Sequence, residues 1–527
     1  MLQSLKYLKK WKLYLFLIFA LLYSCQGVIM PIIIQLAGKL NLNNTYQIVI
    51  FGIVSISLWI LVYLFMYVEN VLLRSLIKDN NTEISKQILD NYASKQICLT
   101  DSELTSLLTQ DLTIFWQDYL LSLLIFPVFG SSIIVSIIYI IWQNPFVGTL
   151  FVIGGLLMII PQFIFNKKLN KTGLLLSQAK EESLKSITDF GKGINSIRSN
   201  QAESDFSNHT LNQIRNTEHR QFQYFTTHNL VMFWTGPLKG LGIILPFIIG
   251  LTITNLPLTT LIAMMTASTY LINPLQQLLE ASSNLQSSQK IKEKILQNAQ
   301  TYPDDKQLQI KEASHISSLE IAHLSKSFPE KVIVKEANLK ITEGEHVLLV
   351  GESGSGKSTL LNILSGEDQN YSGNIVYTNR KNHQLKPSYN FISLIHQIPY
   401  IFQASLRDNL TLYQNYNDEQ LLSILKAVGL SQDFNQNLDY YLDGHNLSGG
   451  QIMRLEIART LLRQKSVILA DEITASLDRH TAKSIRTLLH QLPKTITIIE
   501  VAHKYNPEDY DTTYELKNAK IIKMKQG

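Results

Sequence analysis

The sequence predicts a multidomain chain: an all-α, six-helix transmembrane region followed by an α/β P-loop domain. Three observations carry this. Charged residues are only 17% of the 527 and hydrophobic residues 46%, and most of the missing charge is missing before Glu280, so the remainder reads as an ordinary soluble domain. The first part contains charge-free runs long enough to cross a bilayer. The second contains Gly351-Glu-Ser-Gly-Ser-Gly-Lys-Ser-Thr359, which fits G-x-x-x-x-G-K-[ST]. An apolar run at 346–350 precedes it and another at 360–364 follows, the strand–loop–helix setting that the motif needs.

The spans are read in order. Lys6, Lys9, Lys10 and Lys12 stand before a charge-free run from Leu13 to Gly38, longer than the apolar core of a signal peptide. Tyr46 to Val68 is a second run, ended by Glu69. Tyr119 to Asn166 carries no charge and is too long for one span; Trp142-Gln-Asn-Pro145 divides it. Between Arg220 and Glu280 only Lys239 is charged, and Thr254-Asn-Leu-Pro257 divides that region. Six spans follow, at about 13–37, 46–68, 119–142, 145–165, 230–254 and 258–279, within a transmembrane domain over 1–296. A polar linker over 297–318, containing Pro303-Asp-Asp305, leads to a nucleotide-binding domain over 319–527.

Flanking charge gives the orientation. Arg74, Lys78, Lys86 and Lys95 lie in one long connection, and Lys167, Lys168 and Lys171 open the other. The short alternate connections hold only Lys39. The positive-inside rule then places both termini, both long connections and the nucleotide-binding domain in the cytoplasm of a multi-pass cell-membrane protein. The two long connections suit helices projecting from the bilayer. Asp101 to Leu107 and Glu182 to Phe190 mix polar and apolar residues at helical spacing; either they dock on the soluble domain or they are solvated helix. Net charge is +5, with the cations flanking apolar runs and forming no basic face, so no nucleic-acid partner is expected. Cys25 and Cys98 are too few for a disulfide framework or a cysteine zinc site. Asn43-Asn-Thr45 is a glycosylation triplet of a kind frequent by chance and is given no role.

Some polar residues stand inside the spans. Lys239 lies well inside the fifth, where a charge is expensive and suggests a function; the alternative is a lysine that snorkels to the interface. Gln35, Gln162 and Asn273 are read as groups that join helices by hydrogen bonds.

In the P-loop, the glycines let successive backbone N–H groups turn toward phosphate oxygens, and the helix that starts there adds its positive dipole end. Lys357 reaches the β- and γ-phosphates and the Ser358 hydroxyl takes Mg²⁺. Val467-Ile-Leu-Ala-Asp-Glu472 is an apolar strand ended by two carboxylates. Asp471 suits the Mg²⁺ shell, and Glu472 is placed to orient or deprotonate an attacking water.

Leu447-Ser-Gly-Gly-Gln451, followed by Arg454 and Ala458-Arg459, resembles the signature motif of ATP-binding cassette (ABC) transporters, highly specific between a P-loop and an Asp-Glu strand. Other parts match in order. Phe328 resembles the aromatic residue that stacks on adenine, usually Tyr. Gln397 resembles the Q-loop glutamine, with Phe402 and Arg407-Asp-Asn409 after it. Ala475-Ser-Leu-Asp478 resembles the D-loop and His503 the switch histidine. The resemblance covers nearly the whole chain and looks like an exporter-type half-transporter: six spans, then one cassette.

The resemblance implies ATP contacts from Phe328, from Gly351, Glu352, Ser353, Gly354, Ser355, Gly356, Lys357, Ser358 and Thr359, from Gln397, and from Leu447, Ser448, Gly449, Gly450 and Gln451. It implies Mg²⁺ contacts from Ser358, Gln397 and Asp471, and catalytic roles for Glu472, His503 and Lys357. It also implies a dimer, with a second copy or a paralogous half-transporter, in which two cassettes sandwich two ATP molecules. One departure stands out: in Asp439-Tyr-Tyr-Leu-Asp-Gly-His445, Leu442 occupies the place where exporters usually carry an acidic residue, with Asp443 adjacent. No room for an N-terminal peptidase domain is expected before Leu13. The function implied is ATP-driven movement of an unidentified substrate (peptide, lipid or amphipathic drug) across the membrane, outward. Two other readings stay open: an importer built on the exporter fold, and a membrane ATPase that senses or regulates. The complete hydrolytic motifs weigh against the last.

Overall fold

The computed structural model describes residues 8–94, 97, 99–300, 315–329, 331–443, 446–474, 477, 479–502 and 505–524. The chain divides into two compact units, Met1–Asp304 and Asp305–Gly527.

The first unit is helical. Among the described residues, six helices are long and apolar enough to cross a membrane: α1 (Lys10–Ala37), α2 (Thr45–Ala93), α3 (Asp101–Gln143), α4 (Pro145–Lys192), α5 (Glu203–Ile253) and α6 (Leu258–Ser287). Their ends are chemically marked. The Asn44 side chain accepts from Gln47 N to cap α2. Asn144 caps α4, with Pro145 at its first position, which is how Trp142 to Pro145 breaks the long apolar run. Thr100 and Glu103 form a capping box at the start of α3. The charged connections are continuations of the spans themselves: α2 runs on to Ala93 and α4 to Lys192 before the chain turns back. A six-residue helix, Ile194–Ser199, lies in the second turn, and α7 (Gln289–Asn298) follows α6. Within α3 the helix widens into π turns at Leu107–Asp111 and Phe115–Leu120.

Packing in this unit follows small residues and polar ties. At the α4–α5 crossing, a Cβ on Gly154 would fall 2.3 Å from the Gly242 carbonyl oxygen, and the reverse holds equally, so only glycine allows this approach. Gln35 Nε2 donates to Gln143 Oε1 at 3.0 Å, joining α1 to α3. Lys239 Nζ donates to Asn273 Oδ1 at 2.7 Å, joining α5 to α6. At its start, α1 is held to α2 by Lys12, whose ammonium meets Ser75 Oγ at 2.6 Å and Asp79 Oδ2 at 2.7 Å.

The second unit is an α/β cassette. Its strands are β1 (Ile316–Phe328), β2 (Lys331–Thr342), β3 (His346–Val350), β4 (Ser372–Asn379), β5 (Gln384–Leu385), β6 (Ile392–Ile395), β7 (Ala404–Ser405), β8 (Tyr441–Leu442), β9 (Val467–Asp471), β10 (Thr497–Val501), β11 (Thr512–Lys517) and β12 (Lys520–Lys523). One sheet has the order β2-β1-β4-β5 and is antiparallel. A second has the order β12-β11-β3-β10-β9-β6, parallel except for its β12 edge. Strands β3 and β10 are buried at all five positions, as apolar parallel strands covered on both faces must be. The helices that matter below are α8 (Lys357–Ser365), α9 (Leu406–Thr411), α10 (Asp418–Ala427), α11 (Gly449–Arg463) and α12 (Arg479–His490). β3 and β9 bring the P-loop and the Asp471–Glu472 pair to the same end of the parallel sheet, with β10 between them.

Candidate nucleotide site

The P-loop connects β3 to α8, and its shape comes from its glycines. Gly356 caps α8 at φ +105°, and a Cβ there would lie 2.2 Å from Ile333 Cγ2. A side chain would be strained by the backbone and would collide with β2. Lys357 is buried and folds back over the loop, donating to Gly351 O at 2.9 Å and Glu352 O at 3.0 Å. Lys331, from the start of β2, donates to Gly354 O at 2.5 Å. Ser355 Oγ is buried without a hydrogen-bond partner among the described residues. The loop thus concentrates two ammonium groups, an unpaired hydroxyl and the N–H groups of a helix start, which is the chemistry of an anion site.

Ser358 lies one residue into α8, on the side of the loop nearest Asp471. Burial pushes the Asp471 carboxyl above its ordinary range, the Ser358 hydroxyl opposes this, and the Glu472 charge adds to it. Lys357 and His396 pull it down more weakly. Among the described residues, Asp471 Oδ1 is buried with no hydrogen-bond partner. A buried carboxylate oxygen with nothing on it, beside a hydroxyl and facing a phosphate-type loop, fits a hard divalent cation such as Mg²⁺.

Glu472 follows β9 in a left-handed backbone conformation, φ +49°, with its N–H donating to Val501 O at 3.0 Å. Such a φ is uncommon outside glycine. Gln397 stands two residues after β6, the neighbour of β9, and its Nε2 donates to Glu472 Oε2 at 3.2 Å. Strand order thereby joins two residues that are 75 apart in sequence.

The signature serine caps a helix. Ser448 Oγ accepts from Gln451 N at 3.3 Å, and Ser448 N donates to Gln451 Oε1 at 2.9 Å, a reciprocal capping box at the start of α11. Among the described residues, nothing lies within 4 Å of a Cβ built on Gly449, so this helix start is open to them. Behind it, Arg459 is buried and ties α11 to the segment after Gln397. It donates to Asn409 O at 2.6 Å, Asn409 Oδ1 at 2.9 Å and Tyr400 O at 2.7 Å. Asn409, in α9, clamps the turn in its own right, accepting from Phe402 N and donating to Phe402 O, both at 2.9 Å. Arg407 pairs with Asp418 at the start of α10.

Phe328 ends β1 with 49% of its surface exposed. Lys326 Nζ lies 5.0 Å from the centre of its ring and is itself held by Asp368 at 2.7 Å and Asn370 O at 2.6 Å. His503 and the Ala475, Ser476 and Asp478 positions of the D-loop-like segment lie outside the described residues. Leu442, the departure from the usual acidic residue, is fully buried in β8, opposite Ala404 of β7. It is a core side chain, while Asp443 Oδ1 accepts from Asn446 N at 2.9 Å.

Sequence reasoning missed Lys331 and Glu69. Lys331 belongs to no motif, and only the register of β1 with β2, which sets it opposite Phe328, brings it to the loop. Glu69 reads in the sequence as the charge that ends a span. It is buried inside α2, with Asn70 Nδ2 donating to its Oε2 at 3.2 Å.

The comparisons with known proteins agree on a class. The family model described as ABC transporter matches residues 334–475. The chain is 35% identical over 211 residues to an uncharacterized ABC transporter ATP-binding protein of Methanocaldococcus jannaschii, spanning 37% of this chain and 88% of that relative. The chain belongs to the ABC transporter family. A match at 30% identity over 290 residues, 52% of this chain, is to an ATP-dependent lipid A-core flippase of Hahella chejuensis. The matched stretch spans 47% of that flippase, and less than half of the other longer relatives compared. In fold, the chain matches the structure of a bacterial Atm1-family ABC exporter with ATP bound, at a TM-score of 0.79 and 15% identity, over 97% of this chain and 94% of that one. The architecture shares that exporter's fold: six apolar helices followed by one cassette.

Proposed function

We propose that this chain is one half of an ATP-hydrolysing exporter that moves a peptide, lipid or amphipathic drug across the cell membrane. One observation carries the hydrolytic part: Ser358, Asp471, Glu472 and Gln397 converge from three separate segments beside the P-loop lysine. Phosphoryl transfer asks a protein chiefly for positioning and charge stabilisation, and this cluster offers both. Lys357 releases the loop carbonyls to hold the β- and γ-phosphates. The loop and α8 N–H groups take the phosphate oxygens, and Phe328 stacks on the adenine. Mg²⁺, held by Ser358, Gln397 and Asp471, would neutralise phosphate charge when bound. Glu472, set by its strained backbone and by Gln397, orients the attacking water and accepts its proton. His503 is assigned to the γ-phosphate on family resemblance.

The open start of α11 is assigned to ATP on a second subunit. Ser448, Gly449 and Gly450 of one chain close on the γ-phosphate held by the other, with Leu447 and Gln451 flanking them. Two cassettes then sandwich two ATP molecules, and the partner is a second copy or a paralogous half-transporter. Positive flanks place both termini and the cassette in the cytoplasm.

The test uses vesicles with the cassette outward, supplied with Mg²⁺ in the outside medium and offered candidate peptides, lipids and amphipathic drugs with and without ATP. ATP-dependent accumulation inside them is the expected result. ATP-dependent loss of preloaded substrate indicates import. ATP turnover that moves none of these classes favours a regulator.

A further inference from the structure

Between α4 and α5 lies a groove of about 770 Å³ that shares no residue with the nucleotide site. Its walls come from one face of each helix. Lys168, Lys171, Thr172 and Leu175 stand at i, i+3, i+4 and i+7 on α4, and Gln223, Thr226, Thr227 and Leu230 repeat that spacing on α5. The helices are pinned on both sides of it. Toward the spans, Gly154 and Gly242 touch; beyond the groove, Thr217 Oγ1 donates to Ala179 O at 2.9 Å. The groove is therefore a gap in a fixed pair of helices.

Its chemistry is lopsided. No Asp or Glu lines it, and among the described residues neither Lys168 nor Lys171 has a carboxylate partner. The hydroxyls of Thr172, Thr226 and Thr227 are turned back on carbonyls of their own helices. Two ammonium groups are left facing a space that Leu175 and Phe222 also line. Its level along the helices is also defined. Charge-free sequence ends at Asn166 on α4, two residues before Lys168, and Arg220 is the last charge on α5 before the span. Leu230 opens the groove toward the apolar segments, where Ile164 and Phe233 are exposed.

We propose that this groove binds an anionic phospholipid, its phosphate on Lys168 and Lys171 and its acyl chains running past Leu230 along Ile164 and Phe233. A soluble anion would use the lysines and leave the apolar exit without purpose. A neutral lipid would leave two ammonium groups without a counter-charge. A basic pocket between helices at the membrane surface suits an acidic headgroup, and each lysine near that surface contributes about 1 kcal/mol, roughly thirty-fold in affinity for the pair.

The test places the full-length protein in phosphatidylcholine vesicles that carry a photoreactive phosphatidylglycerol. Cross-links should map to residues 163–175 and 222–233. The double variant Lys168→Gln/Lys171→Gln should lose most of this labelling, with half-saturation moved roughly thirty-fold higher. Lys168→Arg/Lys171→Arg should keep it, which separates charge from folding. Four results each overturn the proposal: unchanged labelling of the glutamine pair, equal labelling by a photoreactive phosphatidylcholine, displacement by inorganic phosphate, or cross-links at these residues to a second copy of the chain in place of lipid.

Discussion

The cassette and the helical unit are built for different surroundings, and the contrast shows what each can tell. In β3 and β10 every residue is buried, and the apolar side chains meet other side chains. In the most apolar stretch of α2 only 6% of residues are buried, so Ile53, Ile56 and Ile60 point outward. The cassette uses its apolar residues to fix a backbone, and the backbone then fixes chemistry: Gly356 needs φ +105°, and Glu472 is held at φ +49°. The helical unit uses most of its apolar residues to match a solvent. Its specific information lies in a few exceptions, such as Gly154 against Gly242, Lys239 on Asn273, and the buried Glu69. Substitutions at the cassette's polar positions should therefore act on chemistry and folding, and those at the polar exceptions in the helices on what is recognised.

The largest effect is expected at Glu472. Glu472→Gln keeps the shape and the contact with Gln397 but cannot accept a proton, so ATP turnover should fall by about 10²–10⁴-fold. ATP binding should persist and hold the protein in a closed, nucleotide-loaded dimer. Steady-state phosphate release near the wild-type rate would remove Glu472 from its assigned role.

Next comes Arg459. Arg459→Ala leaves the Asn409 and Tyr400 carbonyls and the Asn409 side chain without their buried donor, so it should cost about 3 kcal/mol of cassette stability. Chemical denaturation of the full-length protein reads this directly. Loss of activity with unchanged stability would show that Arg459 contributes to catalysis and not to the frame behind α11.

Lys239 tests the other side of the comparison. Its bond to Asn273 joins α5 to α6, and a lysine so placed favours an anionic group on a substrate. Lys239→Met should change stimulation of the ATPase by anionic substrates several-fold and leave basal turnover and expression alone. Unchanged stimulation by every active substrate reduces Lys239 to a helix tie.

The same contrast explains what could be read from the sequence. The two-part architecture was legible because charge depletion and a P-loop are both written in consecutive residues. The break at Asn144-Pro145 was legible because a cap and a proline act locally. The pairing of Gln397 with Glu472 required strand order, and the position of Lys331 required register; neither is local. Leu442 looked like a missing acid, and its burial opposite Ala404 shows a side chain chosen for packing. Glu69 looked like a boundary because a charge usually ends a span, and helix α2 simply continues past it for 24 residues to Ala93. The groove between α4 and α5 had no sequence signal beyond Lys167, Lys168 and Lys171, which orientation alone already explained.

The smallest expected effect lies in the cassette, far from any motif. His346 of β3 and His490 of α12 face each other with Nδ1 to Nδ1 at 3.1 Å. One ring must donate and the other accept, so the contact needs at least one neutral ring. Burial lowers the His490 imidazole below the ordinary histidine range, and His346 lowers it further, against weaker opposite pulls from Asp509 and Glu500; Arg486 adds slightly to the lowering. Beside the pair, Tyr510 Oη donates to Glu500 Oε2 at 3.0 Å, and burial raises that phenol far above its ordinary value, so it stays a donor across this range. With its folded-state value depressed, His490 is harder to protonate in the native protein than in the unfolded chain. Its contribution is therefore complete above about pH 6.5, the unfolded value, and is lost progressively as pH falls from there through the lower folded-state value. Because His490 is open to solvent on one side, the loss should be modest, about 2 °C in the melting temperature between neutral pH and the mildly acidic range. His490→Asn should flatten that part of the profile while leaving the neutral-pH melting temperature nearly as it was. If the acid-side slope of the variant matches the wild type, the slope belongs to other groups, and the histidine pair is no more than packing.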